Sequence, residues 1–182
     1  LTPPPVDFDT AGALPETPLS RALSDAPDRP RAQVARPDEE LFIVRLGELA
    51  VGVSAEHVRE VTRVGSLTPL PRTPSFVLGV VGHRGEIFPL IDLLRFLGLG
   101  EARPSPRSRL FVSHLQTFVV GFLADEVIGL RRVLLADKVP PPSSVAHAEF
   151  LDGVVNSRDL GTVTVLNLVR IVQSARQKVS AR

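Results

Sequence analysis

Apolar and polar positions change period along this chain, and each change marks an element. From Leu41 the texture is that of strands: residues 41–46 and 49–53 are apolar runs of strand length on either side of Gly47-Glu48, which predicts a hairpin. Residues 54–57 predict one helical turn with Ser54 as its cap, and Val58-Arg59-Glu60-Val61 then resumes extended alternation. Residues 65–75, with Pro69, Pro71 and Pro74, read as a rigid loop. The run 76–98, FVLGVVGHRGEIFPLIDLLRFLG, packs strand, tip, strand and helical turn into one stretch. Val80 and Val81 lie on one strand and Ile87, Phe88, Leu90 and Ile91 on the next, with Gly85 supplying the positive φ that the reversal needs. His83, Arg84 and Glu86 then stand at the tip, facing solvent or a partner. Pro89 has no backbone donor and predicts a bulge or an edge in the second strand. Asp92 reads as the N-cap of a short helix that turns Leu93, Leu94, Phe96 and Leu97 inward, and Gly98 as its stop.

After a Pro-, Gly- and Arg-rich connection the pattern repeats. Leu110 set under Leu41 aligns LFIVRLGELAVGVSAEHV with LFVSHLQTFVVGFLADEV without a gap. Phe76, Gly79, Val80, Val81 and Arg84 find counterparts in Phe150, Gly153, Val154, Val155 and Arg158, and the Pro-rich loop recurs at Pro140-Pro141-Pro142. Residues 165–172 match residues 90–97, with Asn167 in the place of Asp92 and capping a helix that heads toward Gln177. Two copies of a β unit of roughly sixty residues, each too small to be stable alone, predict a mainly β domain: two small barrels of about five strands each, sharing one apolar seam, with short helices. The halves run from about 41 to 98 and from about 108 to 173, inside a domain spanning about 39–175.

Outside the repeats the expectation is different. Residues 1–38 hold eight of the seventeen prolines, few large apolar residues and no period, and read as a disordered tail or linker, or alternatively as a docking peptide. Residues 176–182, with Arg176, Lys178 and Arg182, read as a frayed basic tail.

Composition narrows the chemistry. The chain has 182 residues, 43% of them hydrophobic, and a net charge of +1, so it holds one domain with a real core and no strong electrostatic attraction to nucleic acid or anionic membrane. Cysteine is absent, which excludes disulfides, thiolate metal sites and a thiol nucleophile. The histidines, His57, His83, His114 and His147, are scattered without ligand spacing, so no metal or cofactor is expected. No apolar run approaches the ~20 residues of a membrane span, and a soluble, cytoplasmic chain is expected. Methionine is also absent and the chain starts at Leu1, which points to a fragment of a longer polypeptide or a misplaced start.

Candidate catalytic sets are thin. Ser113 and His114 are adjacent in a strand and point to opposite faces, so they do not converge with Asp125. Asp92 and Glu86 are a carboxylate pair, yet Asp92 has a sufficient role as a cap, and its counterpart Asn167 could cap but could not act as a base. GVVGHRG and GLGEAR lack the Lys and the helix of a phosphate loop. The divergence between the two hairpin tips favours a binding surface instead: Arg84 sits in a compact turn, whereas Arg158 is followed by its own counter-charge, Asp159. An RNA-binding barrel using Arg84, Arg131 and Arg132 would lack stacking Trp and Tyr.

LFIVRLGELAVGV, VREV, LPRTPSFVLGVVGHRGEIFPLIDL, VVGFLADEV and VLNLVRIV, in that order, resemble the CheW-like coupling proteins of bacterial chemotaxis from about Glu39 to Val172. The resemblance implies two SH3-like β-barrels around a shared core and no catalytic activity. It further implies an adaptor bridging the cytoplasmic tips of chemoreceptors to the regulatory domain of the chemotaxis histidine kinase, in the cytoplasm at membrane receptor arrays. The alternative is the same module as the regulatory end of a larger signalling protein such as that kinase. By resemblance, receptor contact falls on Val58, Glu60, Gly79, Arg84, Leu110 and Val127, lining a groove between the barrels. Gly82-His83 departs from the family pattern of Asn followed by an aliphatic residue.

Overall fold

The structure, a computed structural model, describes residues 38–141 and 144–181. The readings of residues 1–37, of Pro142 and of Arg182 lie outside the described residues. Asp38, grouped above with the N-terminal segment, is the first residue of β1.

Eleven strands follow the repeat. The first half supplies β1 (Asp38–Leu46), β2 (Leu49–Ser54), β3 (Val58–Arg63), the two-residue β4 (Leu67–Thr68), β5 (Val77–His83) and β6 (Glu86–Ile91), then helix α1 (Leu93–Phe96). The second half supplies β7 (Arg109–Leu115), β8 (Phe118–Ala124), β9 (Glu126–Leu134), β10 (Leu151–Ser157), β11 (Gly161–Leu166) and helix α2 (Leu168–Ser180). A 3-10 turn at Ala55–His57 occupies the predicted helical turn, but the Ser54 hydroxyl makes no capping bond.

The halves of the sequence are not the barrels. One sheet runs β10-β11-β2-β1-β9 and the other β3-β7-β8-β6-β5-β4, so each half lends its first hairpin to the other half's sheet. The exchange is reciprocal. β1 pairs antiparallel with β9 and β2 parallel with β11; equivalently, β7 pairs antiparallel with β3 and β8 parallel with β6. Each sheet curls shut through its own chain. The bridge Val139↔Val154 does for one barrel what the pairing Thr68↔Val80 does for the other.

This exchange explains why β1, β2, β7 and β8 are apolar almost without interruption: they are buried on both faces. Leu41 and Ile43 point into one barrel with Val155, Val163 and Val165, whereas Phe42, Val44 and Leu46 point into the central seam. In the other barrel Leu110 and Val112 pack with Phe88, Leu90 and Leu123, while Phe111 and Leu115 face the seam. Phe111 stacks on Phe122 at 5.2 Å and meets Phe42 at 5.7 Å, and Phe96 of α1 lies between the repeat-related Phe76 and Phe150 at 5.2 and 5.0 Å. Such aromatic pairs add about 0.5–1.5 kcal/mol each beyond their buried area.

The helix ends follow the local chemistry. Asp92 Oδ1 accepts from the Leu94 and Arg95 amides, and Oδ2 accepts from Ala102 N at 2.9 Å, tying the connection between the halves to α1. Gly98 (φ 65°) closes the helix with paired bonds from Gly98 N to Arg95 O and from Leu99 N to Leu94 O. Asn167 caps α2 through Arg170 N. That helix continues through Ser180, which corrects the reading of a frayed tail for residues 176–180: the Arg176 guanidinium lies 3.8 Å from the Phe118 ring centroid and the Lys178 ammonium 4.5 Å from that of Phe96. At Pro89, the parallel ladder of β6 with β8 holds two pairs, Leu90↔Gly121 and Ile91↔Phe122, against four in the equivalent β11–β2 ladder. Pro89 takes the place of Thr164 and cannot donate, so the two strands part below it. An apolar groove of about 360 Å³ opens there against α2, with Phe118, Val120 and Val172 in its walls.

Candidate functional site

The hairpin β5–β6 turns through two residues, with His83 paired to Glu86. Arg84 and Gly85 both have positive φ, 49° and 84°, the turn whose twist suits a two-residue hairpin. For a residue with a β-carbon that backbone costs about 1–2 kcal/mol, and its effect is to aim the Arg84 side chain outward. A bulge at Arg59, between the pairs Val58↔Ser113 and Glu60↔Val112, re-aims the facing edge of β3 so that both Arg59 and Glu60 reach the tip.

A charge cluster results. Glu60 Oε2 lies 3.1 Å from His83 Nε2 and 3.2 Å from Arg84 Nη1, its Oε1 lies 3.2 Å from Arg59 Nη2, and Arg59 Nη2 also reaches Glu86 Oε2 at 2.6 Å. Partial burial pushes the Glu60 carboxyl up, but the hydrogen bond from His83, the charge of Arg84 and the hydrogen bond from Arg59 outweigh it and hold the group below the usual carboxylate range. Sequence reasoning placed His83, Arg84 and Glu86 at the tip but missed Arg59, whose signal was its place beside Glu60 at the start of a strand.

The six residues singled out by resemblance do not all meet. Glu60 and Arg84 form an ion pair. Val58 and Val127, equivalent in the repeat, both pack partly buried against the central seam, one from each barrel. Gly79 is interior, on a bulge of β5 beneath the Thr68 carbonyl, and Leu110 is fully buried in its barrel and has no surface to offer.

The contrast between the tips is the reverse of the expected one. Arg84 is engaged by Glu60, whereas Arg158 makes no ion pair among the described residues. Asp159 turns instead to Arg131 at 3.7 Å and accepts from the Ser157 hydroxyl, a bond that holds its carboxyl below the usual range. The position equivalent to Glu60 is Gly129, so no carboxylate stands opposite Arg158 in the place that Glu60 takes opposite Arg84.

Ser113 is buried, His114 is exposed on the other face, and the Asp125 carboxylate accepts from Gly47 N at 2.6 Å, pinning the β1–β2 turn. Glu86 is on Arg59 at the surface, far in role from the buried cap Asp92. Neither set converges on a point where a reacting atom could sit.

Residues 40–176 match the sequence model of the CheW-like domain. The chain belongs to the CheW-like domain family. It is 54% identical over 159 residues to the protein FrzA of Myxococcus xanthus, covering 86% of this chain and 99% of that one. To the chemotaxis protein CheW of Rhizobium meliloti (strain 1021) it is 34% identical over 118 residues, 64% of this chain and 76% of the relative. In three dimensions it superposes on the crystal structure of the scaffolding protein TtCheW from Thermoanaerobacter tengcongensis with a TM-score of 0.69 and 25% identity, covering 76% of this chain and 90% of that one. The CheW-like assignment agrees with the two barrels and the shared seam, and it makes this chain a chemotaxis scaffold of that type. No helix among the described residues is long and apolar enough to cross a membrane.

Proposed function

We propose that this CheW-like chain is a non-enzymatic adaptor that couples the cytoplasmic tips of chemoreceptors to the regulatory domain of a chemotaxis histidine kinase, working in the cytoplasm at receptor arrays. The observation that carries this reading is the Glu60–Arg84 pair, held at 3.2 Å on a strained turn beside the seam on which Val58 and Val127 lie. A solvated charge needs no such support; a charge that must meet a partner in one orientation gains from it. Of the six residues, Val58, Val127, Glu60 and Arg84 are the ones with accessible surface to make contact, an apolar pair and a charged pair suited to the side of a receptor helix. Gly79 and Leu110 act from behind by shaping the walls. Co-sedimentation with a receptor-tip fragment and the kinase tests the reading. The wild type should bring both down together, Arg84→Ala should lose receptor by about fivefold or more, and Arg158→Ala should behave as wild type. Retention of full receptor binding by Arg84→Ala would count against it.

A further inference from the structure

A histidine and an arginine share one carboxylate oxygen beside the hairpin tip. Glu60 Oε2 accepts a hydrogen bond from His83 Nε2 at 3.1 Å and forms an ion pair with Arg84 Nη1 at 3.2 Å. The other charged groups of the cluster are better anchored. Arg59, from β3, bridges Glu60 Oε1 and Glu86 Oε2, and Glu86, from the hairpin itself, is held by Arg59 at 2.6 Å. Arg84 has no second anchor among the described residues, and its side chain is 77% exposed against 22% for His83.

With a neutral imidazole the cluster balances, two guanidinium groups against two carboxylates, and His83 donates to Oε2 from a protonated Nε2. A further proton on Nδ1 makes His83 a third cation. Its bond to Oε2, until then charged on the acceptor side alone, becomes an ion pair, and its charge repels the guanidinium that shares the oxygen. Displacement falls on Arg84, the cation with the least anchorage.

We propose that His83 is a pH-sensitive positioning residue for Arg84: taking up a proton, it claims Glu60 and releases Arg84 from the carboxylate. Imidazole is the side chain whose charge changes most readily in aqueous protein chemistry, so release accompanies acidification. The second hairpin lacks the device, since Ser157 stands where His83 does and Gly129 where Glu60 does. The consequence for binding rests on the proposed function: a released Arg84 must be ordered again on contact, which weakens receptor binding by about two- to fivefold.

Nuclear magnetic resonance on the full chain separates the device from its consequence. The His83 ring Cε1–H and the Arg84 Nε–H resonances are followed from about pH 8 to about pH 5, with Glu60→Gln marking the position of a released Arg84. Arg84 should move toward that position with the midpoint of His83, and should stay in place in His83→Gln, which keeps a hydrogen-bond donor but does not titrate. An Arg84 resonance that ignores the His83 titration overturns the proposal, as does a step that survives in His83→Gln. Should His83→Gln fail to fold, the wild-type resonance alone decides. Binding of the receptor-tip fragment at both ends of the range is the second arm. If Arg84 steps and binding does not follow, the device stands and receptor contact by Arg84 falls.

Discussion

Gly79 lies directly beneath the main-chain carbonyl of Thr68, so close that a β-carbon there would collide with its oxygen. Its φ of 148° is also one that side-chain-bearing residues avoid. Gly153 repeats both features against Val139 in the other barrel, with φ 158°. Gly79→Ala should therefore lower stability by roughly 1–3 kcal/mol or more in urea unfolding, whatever happens to binding. A variant of wild-type stability that loses receptor binding would instead make Gly79 a contact residue.

Val51 and Val120 occupy equivalent places in the exchanged hairpins, each beside a glycine and each buried in the seam at 2% and 4% exposure. Truncating either to Ala should cost on the order of 1–3 kcal/mol, with similar values for both. The comparison is made by chemical denaturation at constant slope. A cost confined to one of them would mean that the seam is not shared as described.

The Glu60 carboxyl, depressed in the folded protein by His83, Arg84 and Arg59 in spite of its partial burial, gives a pH dependence of definite sign. A carboxyl depressed by folding contributes stability that is full above its unfolded value and is lost as pH falls through its folded value. The advantage of the wild type over Glu60→Gln in melting temperature should thus hold near neutrality and shrink below about pH 4.5. A difference that does not shrink below about pH 4.5 contradicts the depressed carboxyl.

Much of this was legible where the determinant is local. Asp92, Gly98, Asn167 and the Arg84-Gly85 turn act through backbone groups within a few residues, and their roles follow from residue type and position. The duplication was legible because both copies must bury the same faces. The exchange of hairpins was not, because residues 41–53 carry the same apolar run whichever half they pair with, and the partner strand lies far along the chain. Arg176 and Lys178 were misplaced for a related reason: helical propensity reads both as solvated, and the Phe118 and Phe96 rings that hold them come from other elements. Within the site, Arg84 was legible as a tip residue but its Glu60 partner was not, since the bulge at Arg59 that aims β3 at the tip has no sequence mark.

Coupling itself is measured most directly by reconstitution. Receptor cytoplasmic fragments and a chemotaxis histidine kinase are assembled with and without this chain, and kinase autophosphorylation is followed. The wild type should raise kinase activity in a receptor-dependent way, Arg84→Ala should lose most of that gain while unfolding at nearly the wild-type midpoint, and Arg158→Ala should keep it. Equal activation by wild type and Arg84→Ala, or no receptor-dependent activation by the folded wild type, would contradict the adaptor reading.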